Sequence, residues 1–290
     1  MEIVYTTKRK NKNMNQTMRN KIAGAIYGFA IGDAMGATTE FMTEEEIERK
    51  FGKVTDIVGG GWLKLKAGDV TDDTEMTICV MKALMDVNAN VYLKYAFTKR
   101  CARYFIEWCR TEPKDIGGQC SIAIAQLMRG HSKAIQDLNA LGNGSLMRAM
   151  PCAILGLHEF NKIQGELTHN NPACSSTIQI YSKLVQNYLS DNYNINYCNN
   201  IKALQQPSGF ISYTLHNSIY WSCKDSFEEA IIGAVNHGGD ADTIAAITGS
   251  LAGAKFGYDA IPKRWINQLN PDIKNFLEIF KNFAFSYLQI

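Results

Sequence analysis

The sequence has no stretch of the roughly 20 consecutive apolar residues that a bilayer-spanning helix needs, so none of its 290 residues reads as a membrane segment. Its charge is nearly balanced, 30 Lys+Arg against 28 Asp+Glu for a formal +2. That balance excludes a global basic footprint for nucleic acid or anionic lipid. There is no C-x-x-C pair and no cysteine cluster interleaved with histidine, which argues against a structural zinc site and a disulfide-stapled scaffold. Also missing are the G-x-S-x-G elbow, the G-x-x-x-x-G-K-[ST] loop and the G-x-G-x-x-G turn, signatures of serine hydrolases, P-loop enzymes and dinucleotide-binding folds. His158-Glu159 opens like a zinc-protease helix, but Lys162 stands where the second histidine is required.

What is present suits an ordinary folded chain: 46% hydrophobic and 20% charged residues, long enough to close a core without covalent staples. The eight cysteines are dispersed, several within apolar helical patterns where a free thiol behaves as a small hydrophobe. They are expected to be reduced, in a cytoplasmic protein. Basic residues from Lys8 to Lys21 precede an apolar run, Ile22 to Gly32, in the manner of a signal peptide, but Asp33 interrupts the run and belongs to a motif considered below. Residues 1–19 are expected to form a flexible polar leader and 20–290 a single domain.

Apolar residues at Met76, Cys79, Val80, Ala83, Leu84 and Val87 repeat at helical spacing after Thr71-Asp72-Asp73, residue types that favour helix starts. Similar patterns cover 22–36, 43–50, 92–110, 118–129, 145–157, 173–189, 209–221, 226–236, 242–256 and 273–287, with no convincing run of alternating strands. The expected fold is all-α, a compact orthogonal multi-helix bundle. Two glycine stripes stand out, Gly24, Gly28, Gly32 and Gly36, and Gly249, Gly253 and Gly257. An interior helical glycine costs roughly 1 kcal/mol against alanine, so a repeated stripe implies a gain from close backbone packing, with clearance for a ligand as the alternative.

The most informative feature is a pair of acidic clusters far apart in the chain, Thr71-Asp72-Asp73-Thr74 and Gly239-Asp240-Ala241-Asp242-Thr243. Either one alone reads as a helix cap. One cap suffices for one helix and adjacent carboxylates repel, so two doubled clusters point to a cation that neutralises them. Hard divalent ions such as Mg²⁺ or Mn²⁺ take such oxygen ligands. If the fold joins the two helix starts, Thr71, Asp72, Asp73, Asp240, Asp242 and Thr243 could hold two metals about 4 Å apart. The small-residue turn Gly142-Asn143-Gly144-Ser145, before an expected helix from Leu146 to Leu157, suits phosphate.

Taken in order, Gly32-Asp33-Ala34-Met35-Gly36 with Glu40, Thr71 to Thr74, Asp115-Ile116-Gly117, Asn143 to Arg148 and Gly238 to Thr243 resemble the ADP-ribosylglycohydrolase family from about residue 20 to 258. The resemblance implies an all-α fold with a binuclear Mg²⁺ or Mn²⁺ centre held by the six residues above. It implies Glu40, Asp115 and Asp73 as catalytic carboxylates, with Gly117, Asn143, Gly144, Ser145 and His169 binding ADP-ribose and Arg148 supporting from behind. His237 is assigned no catalytic role. The implied reaction is hydrolysis of the N-glycosidic bond between ADP-ribose and a protein side chain, arginine being favoured. The implied partners are an ADP-ribosylated protein and the product ADP-ribose, without nucleic acid or membrane, the enzyme acting as a monomer. Serine-linked or other ADP-ribose substrates, a non-catalytic ADP-ribose binder that blocks a partner, and a binuclear phosphohydrolase stay open. The Gly59–Trp62 loop is a candidate lid over the ribose.

Overall fold

Two helices whose facing surfaces lack side chains organise the chain. The computed structural model describes residues 2–192, 198 and 200–290, residues 2–13 by backbone alone. Helix α1 spans Glu2–Gly36 and α11 spans Ala241–Phe256. They run antiparallel with their backbones in contact: Gly24 faces Gly253, Gly28 faces Gly249, Gly32 faces Ala245 and Gly36 faces Ala241. A Cβ on any of these four glycines would enter the van der Waals radius of the opposing carbonyl oxygen. Close packing is therefore the gain that offsets the helix-propensity cost. Gly257 also backs onto Gly24, whose Cβ would lie 2.7 Å from the Gly257 carbonyl carbon, and ends α11 at a positive φ of 84°.

Helix α11 is buried on every side from Ala241 to Ala254, as a helix apolar all round must be. The remaining helices enclose this pair: α2 Glu44–Phe51, α3 Asp72–Asp86, α4 Lys94–Cys109, α5 Gly118–Met128, α6 Met150–Ile154, α7 His158–Glu166, α8 Pro172–Leu189, α9 Ile211–Ser222, α10 Phe227–Asn236, α12 Lys263–Gln268 and α13 Pro271–Tyr287. Local chemistry sets their starts. Thr43 and Glu46 form a reciprocal capping box on α2, and Asn171 and Asn270 cap α8 and α13 ahead of a proline. The described residues contain no strand, only isolated bridges at Gly60–Leu65 and Gly142–Phe210, so the architecture is all-α. No described helix is long and apolar enough to cross a membrane.

Several expectations are corrected. The backbone is helical from Glu2, because nothing before Gly24 breaks a helix, so the expected loose leader continues into α1. The single helix expected over 145–157 is a short 3₁₀ turn, Asn143–Ser145, followed by α6. Pro151 lacks an N–H and so sits in the first turn of a new helix, and Gly156 turns left-handed after it at φ 69°. Helices α7 and α12 were not expected at all, being short and weakly periodic. Cys198 and Cys223 are joined in a disulfide, against the expectation of eight free thiols. Their pairing comes from the fold and not from a spacing motif. Most of the Asn-rich connector Ser190–Asn200 lies outside the described residues.

The helix contact yields a stability test. Gly28→Ala is expected to destabilise the protein by about 1–3 kcal/mol through backbone displacement. Gly118→Ala, whose Cβ would meet open space, is expected to be neutral or slightly stabilising. Urea unfolding of both variants checks the contrast, and equal effects would mean that the stripe is not a packing contact.

Candidate active site

The α1–α11 contact places the end of one helix beside the start of the other, and a third helix is tied to the same point. Asp33, fully buried in the last turn of α1, accepts the backbone N–H groups of Thr71 and Thr74, each at 3.0 Å. This carboxylate thereby satisfies two donors near the start of α3 and aligns Thr71-Asp72-Asp73 with α11. Thr71 Oγ1 accepts from Asp73 N at 3.3 Å as the N-cap. At α11 the chain enters through Gly238 and Gly239, with φ of 71° and 61°. Only glycine fits at Gly239, because a Cβ there would meet the Pro207 carbonyl, which itself accepts Asp240 N–H at 3.1 Å. Gly239 N donates to Met42 O at 2.8 Å and Phe41 N to Gly239 O at 2.6 Å, which fastens the Glu40 turn to the second acidic cluster.

The two clusters meet across a cavity of about 230 Å³. Its lining includes the oxygen donors Glu40, Asp72, Asp73, Asp115, Asp240, Asp242 and Thr243, together with Gly117, Cys120, Asn143, Gly144 and His169. Thr243 Oγ1 donates to Asp73 Oδ1 at 3.3 Å, a direct bond between α11 and α3. Asn143 Nδ2 donates to Asp240 Oδ2 and to Thr214 Oγ1, which joins the small-residue turn to the acidic lining. One oxygen each from Glu40, Asp240 and Asp242 lies within 4.8 Å of the other two, the one such grouping among the described residues. Asp73 Oδ2 and Asp242 Oδ1 are buried without a hydrogen-bond partner. Buried polar atoms are nearly always paired. An all-oxygen set with two orphaned carboxylate oxygens suits a hard divalent cation.

Two expected contact residues lie off the cavity. Thr71 faces a neighbouring cavity, and the fully buried Ser145 leaves its hydroxyl unpaired behind the turn. The Gly59–Trp62 loop does not line the cavity either. It packs on the end of α1, where Gly59 O accepts from Thr38 Oγ1 and Gly61 abuts Ala37. Its link to the site is Trp62, whose indole donates to Glu40 Oε2 at 2.6 Å. His237 pairs with Glu44 outside the cavity. Asp33 and Trp62 entered the sequence analysis only as members of a motif and of a candidate lid; that Asp33 caps α3 and that Trp62 holds Glu40 are contacts between distant segments, which spacing does not signal.

Burial dominates the electrostatics. Glu40 is pushed up to about 8, first by desolvation, against the Trp62 hydrogen bond, and further by Asp240, Asp115 and Asp72. Asp72 is raised to about 8 by burial and then by Asp115 and Asp33. Asp73 and Asp242 are driven well above the usual carboxylate range by burial and by each other's neighbours. Asp33 and Asp240 reach about 6, burial being partly offset by the hydrogen bonds they accept. Burial also raises Asp115. Burial and then Arg148 lower His169, in the same lining, to about 3.

Known proteins resemble this chain over most of its length. A sequence model described as ADP-ribosylglycohydrolase matches residues 14–285. The chain is 33% identical to the ADP-ribosyl-[dinitrogen reductase] glycohydrolase of Rhodospirillum rubrum, over 89% of this chain and 93% of that protein. It is 28% identical to an ADP-ribosylarginine hydrolase of Serratia proteamaculans, over 86% of this chain and 75% of that one. A solved ADP-ribosylglycohydrolase-related protein complex superposes with a TM-score of 0.77 at 25% identity, covering 94% of this chain and 99% of the other.

The raised carboxylates predict a pH dependence. Folded, Glu40 and Asp72 keep a proton to about 8; unfolded, they lose it near 4.5 and 3.8. Between those values the folded chain binds more protons, so this contribution is fully present at low pH and is lost as pH rises through the window. In EDTA, the melting temperature is expected to fall from about pH 5 to about pH 8. Added Mg²⁺ or Mn²⁺ is expected to raise it most at the alkaline end. A melting temperature indifferent to divalent ions across that range would remove the cation-binding reading of the cluster.

Proposed function

The chain belongs to the ADP-ribosylglycohydrolase family, and from that premise we propose that it hydrolyses the N-glycosidic bond joining ADP-ribose to an arginine side chain of a modified protein. The observation that carries the reading is the meeting of two acidic helix starts in one cavity, with orphaned oxygens on Asp73 and Asp242. Of the six expected ligands, the five that line the cavity, Asp72, Asp73, Asp240, Asp242 and Thr243, would hold two divalent ions, Mg²⁺ or Mn²⁺. Glu40 stands close enough to Asp240 and Asp242 to join them. When bound, such ions supply charge neutralisation and a lowered pKa for water.

The remaining roles fall to the chain itself. The Asn143-Gly144 turn and His169, which line the cavity with the carboxylates, would receive the diphosphate, and the carboxylates the ribose. In the net reaction the oxygen of water adds to C1″, the C1″–N bond breaks, and the leaving guanidine takes a proton. The oxocarbenium-like transition state calls for one group to accept a proton from water and another to donate one to nitrogen. Glu40, Asp115 and Asp73 are the carboxylates placed for this work. Protonated Glu40 is held by Trp62, and half-buried Asp115 stands where the cavity adjoins a second one.

That second cavity, about 350 Å³, supports arginine as the acceptor: beyond Asp115 its lining includes Asp69, Glu75, Glu112 and Trp108, three carboxylates against the single basic residue Lys114. Carboxylates and an aromatic face are what a guanidinium prefers. The Serratia relative, an ADP-ribosylarginine hydrolase, points the same way. We place the enzyme, as a monomer, in the cytoplasm, on its six free cysteines; the Cys198–Cys223 disulfide is the feature that favours an oxidising compartment instead.

The test is release of free ADP-ribose from arginine-modified and serine-modified protein, with Mg²⁺, Mn²⁺ or EDTA. Release from arginine that EDTA abolishes is expected, and Asp242→Ala should lower it about a hundredfold or more. Full activity of Asp242→Ala would overturn the metal scheme. Release from serine alone would overturn the linkage. No release, with ADP-ribose still raising the melting temperature, would replace the enzyme by a binder.

A further inference from the structure

We propose that Arg148 and Thr168 are positioning residues that set the tautomer of His169, so that this ring faces the cavity as a neutral Nε2–H donor to an oxyanion of the bound diphosphate. The inference rests on the functional reading above and adds two residues to it.

Arg148 is fully buried, with Phe105 stacked 4.7 Å from its guanidinium. Its Nε donates to Gln164 Oε1 at 2.8 Å, its Nη2 to Gln164 O at 3.0 Å and to Thr168 Oγ1 at 2.6 Å, and its Nη1 to Gly144 O. A guanidinium has donors only and keeps its charge. Thr168 Oγ1 must therefore accept from Arg148, which leaves its one hydroxyl proton for the Cys120 thiol or for His169, and a bare imidazole nitrogen is the stronger acceptor of the two. His169 Nδ1 lies 2.8 Å away. With Nδ1 accepting that proton, the neutral ring carries its own hydrogen on Nε2.

The other end of the ring has no protein partner among the described residues. His169 is 2% exposed and lines the cavity. A Cβ on Gly142 would sit 3.3 Å from Nε2, and one on Gly144 2.8 Å from Cε1. The two glycines leave the ring its place against the turn. The same guanidinium thus holds both halves of the diphosphate lining, the turn through Gly144 O and the ring through Thr168. No carboxylate pairs with Arg148 among the described residues, so its charge both favours an anion at this lining and keeps the histidine unprotonated.

The test reads the tautomer directly in the intact protein. Nitrogen-15 shifts of the His169 ring at neutral pH, assigned by their loss in His169→Gln, are expected to show a bare Nδ1 and a protonated Nε2. Thr168→Val should abolish that preference and weaken ADP-ribose binding about tenfold, the loss of one hydrogen bond; Thr168→Ser should restore both. A wild-type ring protonated on Nδ1, or on both nitrogens, overturns the proposal, as does an unchanged tautomer in Thr168→Val. The expected tautomer in a protein that releases no ADP-ribose from any linkage supports the relay and removes the hydrolase reading.

Discussion

Everything at the site depends on the contact between α1 and α11. Two backbones come together because glycine or alanine stands at each crossing point from Gly24–Gly253 to Gly36–Ala241. Backbone proximity of this kind leaves no slack, since carbonyl oxygens and not flexible side chains define the surface. It therefore fixes where α1 ends and α11 begins to within a fraction of a side chain. Asp33 then carries that register to α3 by capping its first turn. A rigid pair of helices and one buried carboxylate thus place two acidic clusters, separated by about 170 residues in the Thr243–Asp73 hydrogen bond, in the same few ångströms.

The resulting site is electrostatically unfavourable by itself. Carboxylates removed from water and set beside one another resist ionisation, which is why Glu40, Asp72, Asp73 and Asp242 all titrate high. A fold selected only for stability would not gather them. Strong perturbation within a cavity is the physical mark of a functional site. The lining around His169 has another character: Arg148 supplies a buried positive charge behind it, the Gly144 carbonyl accepts from that guanidinium, and burial and then Arg148 hold the pKa of the ring down. The cavity thus joins carboxylates that a cation would neutralise to a region whose buried charge favours an anion.

Much of this was legible in the chain. Helical periodicity marked most of the long helices, because burying one apolar face imposes a period that survives any tertiary arrangement. The glycine stripes announced a backbone contact, and the doubled acidic clusters announced a charge problem needing a partner. What escaped notice was short or solitary. Helix α7 is a nine-residue element with polar residues among its buried positions, Asn161 and Gln164, and so shows little apolar pattern. The Cys198–Cys223 bridge joins residues 25 apart with no motif between them. Ser145 belongs to a phosphate-like turn by sequence, yet its side chain points into the core, because the turn closes as a 3₁₀ helix.

The sequence by itself determined the all-α class, the helix starts that carry carboxylates and the small residues that permit close approach, since all three are local properties of residue type and spacing. Tertiary structure alone decided which carboxylates face one another, that Glu40 is held by Trp62, and that Arg148 reaches His169 through Thr168. Those are meetings between segments distant in the chain. Their geometry follows from how helices pack, which no single segment contains.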